Sequence, residues 1–242
     1  MHDHVLDAGA QSNSDGDITS SVLADKKLGF SMGTFTKGSG AQTVGHGLSQ
    51  APDMYVVKRY TGGTGSWFVY HKDLDATAPE DYYVRFNSLG ARTDDATVWN
   101  DTAPTNSVFT VAGAFNSSEE LLFYAWHAVP GFSAFGKYIG NNSTNGPYVH
   151  CGFKPAWIMV KRTDTDSSNG WYIYDNMREN YGSLVDAMIY ANLNSQEDDG
   201  SRDLDFTSSG FKPRLTDVNV NASGGTYIFM AFAEQPFELS VS

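Results

Sequence analysis

Apolar residues along this chain fall into short runs of four to nine, parted by turns of Gly, Asn, Asp and Pro. Within several runs apolar and polar positions alternate, the period of a strand with one face buried. Phe30, Met32 and Thr34 alternate against Ser31, Gly33 and Phe35, which predicts a strand over Phe30–Thr36. Gln42–Val44, Tyr82–Phe86, Val108–Val111 and the short Thr97–Asn100 read as further strands. Leu121–Val129 is apolar on both faces, which suits a doubly buried strand or a buried helix. Its aromatics, and its counterpart Thr226–Phe232 after the turn Ser223–Gly225, favour the strand. At Arg178–Ile189, Tyr181, Leu184, Val185 and Met188 recur at roughly helical spacing with Gly182 against it, so helix and strand both stand open there.

The pattern is written twice. Ala51–Arg59, a polar loop and Ser66–Tyr70 answer to Lys154–Arg162, a polar loop and Gly170–Tyr174. Pro52 matches Pro155, Lys58-Arg59 matches Lys161-Arg162, Trp67 matches Trp171, and Tyr70 matches Tyr174. Each half reads as one β-hairpin: a proline opens an apolar run, two cations close it, a Gly/Ser/Asp loop turns the chain, and an aromatic run returns. The repeat extends to Gly29–Gly38 against Phe132–Gly140, and to Leu121–Trp126 against Tyr227–Phe232. A fixed internal period decides architecture before any single element does. The expected fold is all-β, with two tandem antiparallel β-sandwich, jelly-roll-like repeats over residues 28–131 and 132–237. Residues 1–27 are polar and read as a linker or the remnant of a preceding repeat, with one short strand near Ile18–Leu23 that can pair with a neighbour. Residues 238–242 read as a C-terminal tail.

Composition narrows function more than fold. The formal net charge is −12, and the sixteen Lys and Arg are scattered with no run longer than two, so a nucleic-acid partner is not expected. No apolar run approaches the roughly twenty residues of a spanning helix, so membrane insertion is not expected. The first residues have no cationic start and no apolar core, so a signal peptide is not expected. The one cysteine, Cys151, excludes an intrachain disulfide and reads as a small buried residue.

Catalytic constellations are scarce. The chain has no G-x-S-x-G elbow, no H-E-x-x-H, no phosphate loop and no dinucleotide fingerprint. The adjacent carboxylates Asp94-Asp95, Glu119-Glu120 and Glu197-Asp198-Asp199 sit in polar loop sequence, where solvation gives no reason for a raised pKa. Asp15 and Asp17 flank a glycine, and Asp164–Gly170 resembles half of a Ca²⁺ loop. Position 176 is Asn where that loop needs a bidentate Glu, so turns are the reading of both. His2 and His4 read as incidental at the chain's start. Lys58-Arg59 and Lys161-Arg162 can hold an anion beside Trp; the preferred reading is structural, with each stem stacked on the cross-strand ring. No catalytic residue, no cofactor and no metal are expected. For binding, the candidates are Trp99, Tyr82, Tyr83 and Tyr181, which stand in or near loops where a ring face can meet the apolar face of a sugar. The competing role for each is a core plug.

These residues together resemble a repeat domain of tailed-phage virion structural proteins, of marine and cyanophage type, described loosely as tail-fibre-like and of unknown function. The resemblance lies in Thr43-Val-Gly-His-Gly-Leu48, Ala51-Pro-Asp53, Val56-Val-Lys-Arg59, Ala96-Thr-Val-Trp-Asn-Asp-Thr-Ala-Pro104, Gly152-Phe-Lys-Pro-Ala156 and Asn221-Ala-Ser-Gly-Gly-Thr-Tyr-Ile-Phe-Met-Ala-Phe-Ala-Glu234. It covers nearly everything from Leu28 to Phe237. It implies a virion protein assembled in the host cytoplasm, homo-oligomeric, with other virion proteins and copies of itself as partners. It also implies a display or attachment role, reading host surface glycan. The alternatives are a capsid decoration or fibre-shaft protein with no ligand, and a tail-spike enzyme that degrades polysaccharide. The resemblance supplies no binding residues.

Overall fold

The computed structural model describes residues 9–61, 65–166, 170–178, 184–185, 187–197 and 203–234. Strands in antiparallel sheets carry the described chain, and its two α-helices are single turns. The fold is all-β. The chain divides into two compact units: Met1–Asn87 with Arg92–Ala128, and Ser88–Ala91 with Val129–Ser242.

The first unit contains β1 (Gln11–Asn13), β2 (Ser20–Asp25), β3 (Phe30–Thr36), β4 (Gln42–Gly45), β5 (Met54–Arg59), β6 (Trp67–His71), β7 (Tyr82–Arg85) and β8 (Thr93–Asp94). The helical turn α1 (Ala96–Trp99), β9 (Val108–Val111) and β10 (Glu120–Trp126) follow. Eight strands form one sheet in the order β1-β2-β3-β10-β5-β6-β7-β8, and β4 pairs with β9 in a second. The core joins inward positions of both sheets: Tyr55, Val57, Leu121, Phe123 and Ala125 with Val44, Phe109 and Val111. Full burial of one such side chain stabilises by roughly 1.5–3 kcal/mol. Along β10 burial alternates: Leu121, Phe123 and Ala125 are buried, while Leu122, Tyr124 and Trp126 are half-buried on the other face. The run that looked apolar on both sides is therefore a strand.

The second unit contains β11 (Ser133–Ile139), β12 (Val149–His150), β13 (Pro155–Arg162), β14 (Trp171–Asp175), β15 (Leu184–Val185), β16 (Met188–Tyr190), β17 (Leu204–Thr207), β18 (Gly210–Pro213), α2 (Val218–Asn221) and β19 (Thr226–Ala233). Its sheets run β11-β19-β13-β14-β16 and β12-β18-β17-β15. Ile158, Val160, Tyr172, Tyr174, Tyr227 and Phe229 meet Leu204, Phe206 and Phe211 in its core. Two four-strand blocks correspond: β3-β10-β5-β6 in the first unit and β11-β19-β13-β14 in the second. The registers correspond too, since Lys58 lies opposite Trp67 and Lys161 opposite Trp171.

Three expectations need correction. Thr97–Asn100 is not a strand: α1 turns there, because Asp95 caps it by accepting from Thr97 N and Asn100 closes it at φ 58°. Those two cap positions outweigh the strand preference of Thr and Val. The polar N-terminal stretch holds two strands where one was expected: the strand near Ile18–Leu23 is β2, and β1 pairs beside it, so that both extend the sheet of β3. The helical reading of Arg178–Ile189 gives way at Leu184–Val185 and Met188–Tyr190 to strands β15 and β16. There Met188 to Tyr190 pair with Tyr174 to Tyr172, and sheet hydrogen bonding overrides the local spacing. Of the same stretch, 179–183 and 186 lie outside the described residues, as do His2, His4 and residues 238–242.

Candidate functional site

The registers of the first unit line up one transverse row of outward side chains. Ser12 lies opposite Ser21, Ser21 opposite Thr34, Thr34 opposite Leu122, Leu122 opposite Lys58, and Lys58 opposite Trp67. The hydroxyl end of this row opens into a surface depression of about 290 Å³ lined by Ser12, Thr19, Ser20, Ser21, Thr34, Phe35, Thr36 and Tyr60. Strand alternation explains the lining. Val22 and Phe35 point into the core, so Ser21, Thr34 and Thr36 must point out.

Most of these hydroxyls are unspent. Ser20 Oγ donates to Gly45 O at 2.7 Å. The exposed hydroxyls of Ser12, Thr19, Ser21, Thr34 and Thr36 make no hydrogen bond among the described residues. Tyr60 is 47% exposed, and its backbone N–H is fixed to Glu120 O at 3.1 Å. Among the described residues, the lining carries no charged side chain. Neighbouring cations are engaged elsewhere. Lys58 Nζ lies 4.3 Å from the centre of the Trp67 ring, and Arg59 pairs with Glu119. The arrangement offers neutral donors and acceptors on a rigid sheet, with one phenol ring at its rim. Such a set is chemically suited to a polyol and poorly suited to an anion.

Residues 6–236 match a family described as a domain of unknown function, DUF7483. The chain belongs to this family. No curated protein and no solved structure matches it.

The aromatic candidates from the DUF7483 sequence are placed elsewhere. Trp99 is fully buried and meets Tyr55 edge-on at 4.8 Å between ring centres. Tyr83 is 5% exposed and packs on Phe68 at 5.2 Å. Both are core plugs and neither offers a ring face to a ligand: the Asp95 cap turns Trp99 inward, and strand alternation does the same for Tyr83. Tyr82 is half-buried beneath the Arg92 guanidinium, 4.5 Å from its ring centre. Tyr181 lies outside the described residues. Trp99, Tyr82 and Tyr83 do not line the depression.

The polar candidates hold loops in shape. Asp95 caps α1, Glu119 pairs with Arg59, and Glu197 pairs with Arg178. Asp17 accepts from Thr43 N at 2.9 Å and Thr43 Oγ1 at 2.8 Å, and these bonds hold its carboxyl below the usual range. Asp164 closes the second hairpin by taking Arg162 in a two-pronged pair and the backbone N–H of Thr226. His46 is fully buried, its Nε2 donating to Thr105 O and its Nδ1 accepting from Leu48 N, both at 3.1 Å. Burial lowers its pKa. Cys151 is half-buried, and burial pushes its thiol up to about 12, which keeps it protonated and unreactive near neutrality. Among the described residues, no group of three or more His, Cys, Asp or Glu can hold a metal ion. No described helix is long and apolar enough to cross a membrane.

Sequence reading missed the hydroxyl depression. Half of its signal was present, in Thr34 and Thr36 alternating with Phe35. The other half lay in residues 12–21, which carry no apolar pattern strong enough to announce two strands.

Proposed function

We propose that this protein is a non-enzymatic structural and adhesive component of a phage particle, of tail-fibre type, and that it touches host surface glycan through the depression beside β1, β2 and β3. One observation carries the glycan part: five unengaged hydroxyls and the Tyr60 ring converge on one uncharged concavity. A sugar presents hydroxyls at its edge and C–H groups on its face. Ser and Thr both donate and accept, and a phenol ring takes the C–H face. The virion part is supported by the sequence resemblance alone.

The expected affinity is weak. A neutral hydrogen bond nets roughly 0.5–1.5 kcal/mol, and about 4 kcal/mol corresponds to a Kd near 1 mM. Copies arrayed on one particle convert such a contact into firm attachment. The test is binding of the purified chain, displayed in many copies on beads, to host cells and to immobilised envelope polysaccharide. Retention on host cells, reduced by Tyr60→Ala and by Thr34→Val, supports the reading. Equal retention on host and non-host cells, or none on either, favours a scaffold without a ligand. Release of reducing sugar from the polysaccharide overturns the non-enzymatic reading. Peptides of this chain in purified particles test the virion assignment, and their absence there defeats it.

A further inference from the structure

In the second unit, a buried lysine sits under a four-residue strap. Lys161 Nζ donates to Leu89 O at 3.1 Å, and the Lys161 side chain is fully buried. Two more side chains hold the same strap, Ser88–Ala91. Asp166 Oδ1 accepts from Ala91 N at 2.8 Å. Asn192 Nδ2 reaches Ser88 O at 3.4 Å, while its Oδ1 accepts from Trp171 N at 3.0 Å. The matching lysine of the first unit, Lys58, holds the same register opposite a tryptophan yet is only half-buried, its ammonium lying on the ring. The repeat thus keeps one residue pair and gives it two environments.

An ammonium closed away from water costs free energy that a neutral amine does not. Burial lowers the Lys161 amine from the ordinary 10.5 to about 8, with Asp166 opposing that shift. Among the described residues, Asp166 is a charged group that acts on it; Arg162 and Asp164, the next charges along the chain, pair with each other. The residues opposite Lys161 on the flanking strands, Trp171 and Ile228, carry no charge.

We propose that Ser88–Ala91 is a pH-responsive latch, shut over Lys161 when the amine is neutral and opened more often when it carries a proton. Opening the strap returns the amine to water, where it regains its ordinary basicity. The open form then binds more protons than the closed form between about pH 8 and 10.5. Over that window the open fraction falls as pH rises, by up to tenfold per pH unit and at most about 300-fold in total. Below about pH 8 both forms are protonated and the fraction is flat.

The test is hydrogen exchange at the Ala91 and Trp171 amides of the full chain from pH 7 to 10.5, corrected for the intrinsic rate, beside Lys161→Met. The expected result is opening that declines with pH in the parent chain and stays flat in the variant. A flat parent profile, or the same slope in both chains, overturns the latch. If the variant does not fold, a ¹⁵N titration of the parent's lysine side chains decides: a Lys161 midpoint near 10.5 overturns the proposal, and one near 8 sustains it. Cys151 and Tyr227, both pushed up to about 12 by burial, do not imitate the effect. They keep protons in the folded state that the unfolded chain loses, so they weaken the fold as pH rises.

Discussion

The two units solve the same folding problem and differ in what they lay beside the solution. In the first, Gly33 of β3 lies under the Phe123 ring and against the backbone of β2; a Cβ there would come within 2.6 Å of Phe123 Cε1 and 2.6 Å of Ser21 O. In the second, Gly136 of β11 lies under the Phe229 ring, and the three atoms nearest a Cβ there all belong to that ring, the first at 2.8 Å. One glycine is caught between a ring and a neighbouring strand; the other answers to a ring that can tilt. The difference teaches that the shared part of the repeat is the aromatic-over-glycine core. Among the described residues, the arm β1–β2 extends the first unit's sheet past β3, and no strand extends the second unit's sheet past β11.

The comparison breaks most visibly at the two rings. Phe123 is fully buried and Phe229 is 5% exposed. Removing either ring by Phe→Ala is expected to cost about 3–5 kcal/mol. In calorimetry each variant should lower the transition of its own unit; a single transition shifted equally by both would show that the units unfold together. Next come the glycines. Gly33→Ala should cost about 2–3 kcal/mol and Gly136→Ala about 1 kcal/mol, because backbone cannot move aside as a ring edge can. Denaturant midpoints measure the gap, and equal costs would mean that β2 does not confine Gly33.

The helical turns give a smaller effect. Asp95→Ala and Asp217→Ala each remove a side chain that accepts a backbone N–H at the start of its turn. Each should cost about 1 kcal/mol, and Asp→Asn at either site should restore most of it. The smallest effect is set by pH. His46 is buried with a lowered pKa, so the unfolded chain binds its proton first as pH falls. Its share of stability is complete above its ordinary value of 6.5 and is lost as pH drops from there through the folded value. Thermal melts from pH 7.5 to 5 should decline, and His46→Gln should flatten part of that decline.

Much of the sheet was legible because its signals are local. Pro52 and Pro155 mark where each hairpin begins, and Trp67 and Trp171 mark its return. The alternation of Phe30–Thr36 places β3 without help from other residues. What escaped depends on partners far along the chain. Trp99 looked like a loop aromatic, and the Asp95 cap together with the rings of Tyr55 and Phe115 accounts for its burial. Ser12 looks like solvated linker until β1 pairs with β2, and the short strand near Ile18–Leu23 gives no sign that Thr19 and Ser21 share a surface with Thr34. Lys161 is indistinguishable in sequence from Lys58, since a strap arriving from residues 88–91 leaves no mark near position 161.

Along β2 and β3, successive residues serve opposite masters: Val22 and Phe35 hold the interior, while Ser21, Thr34 and Thr36 face the depression. Substitutions on the outer set alter hydroxyl number and shape without enlarging or crowding the core. The lining of the depression can therefore change while the core stays as it is, and a library randomised at the outer positions alone should yield mostly folded chains.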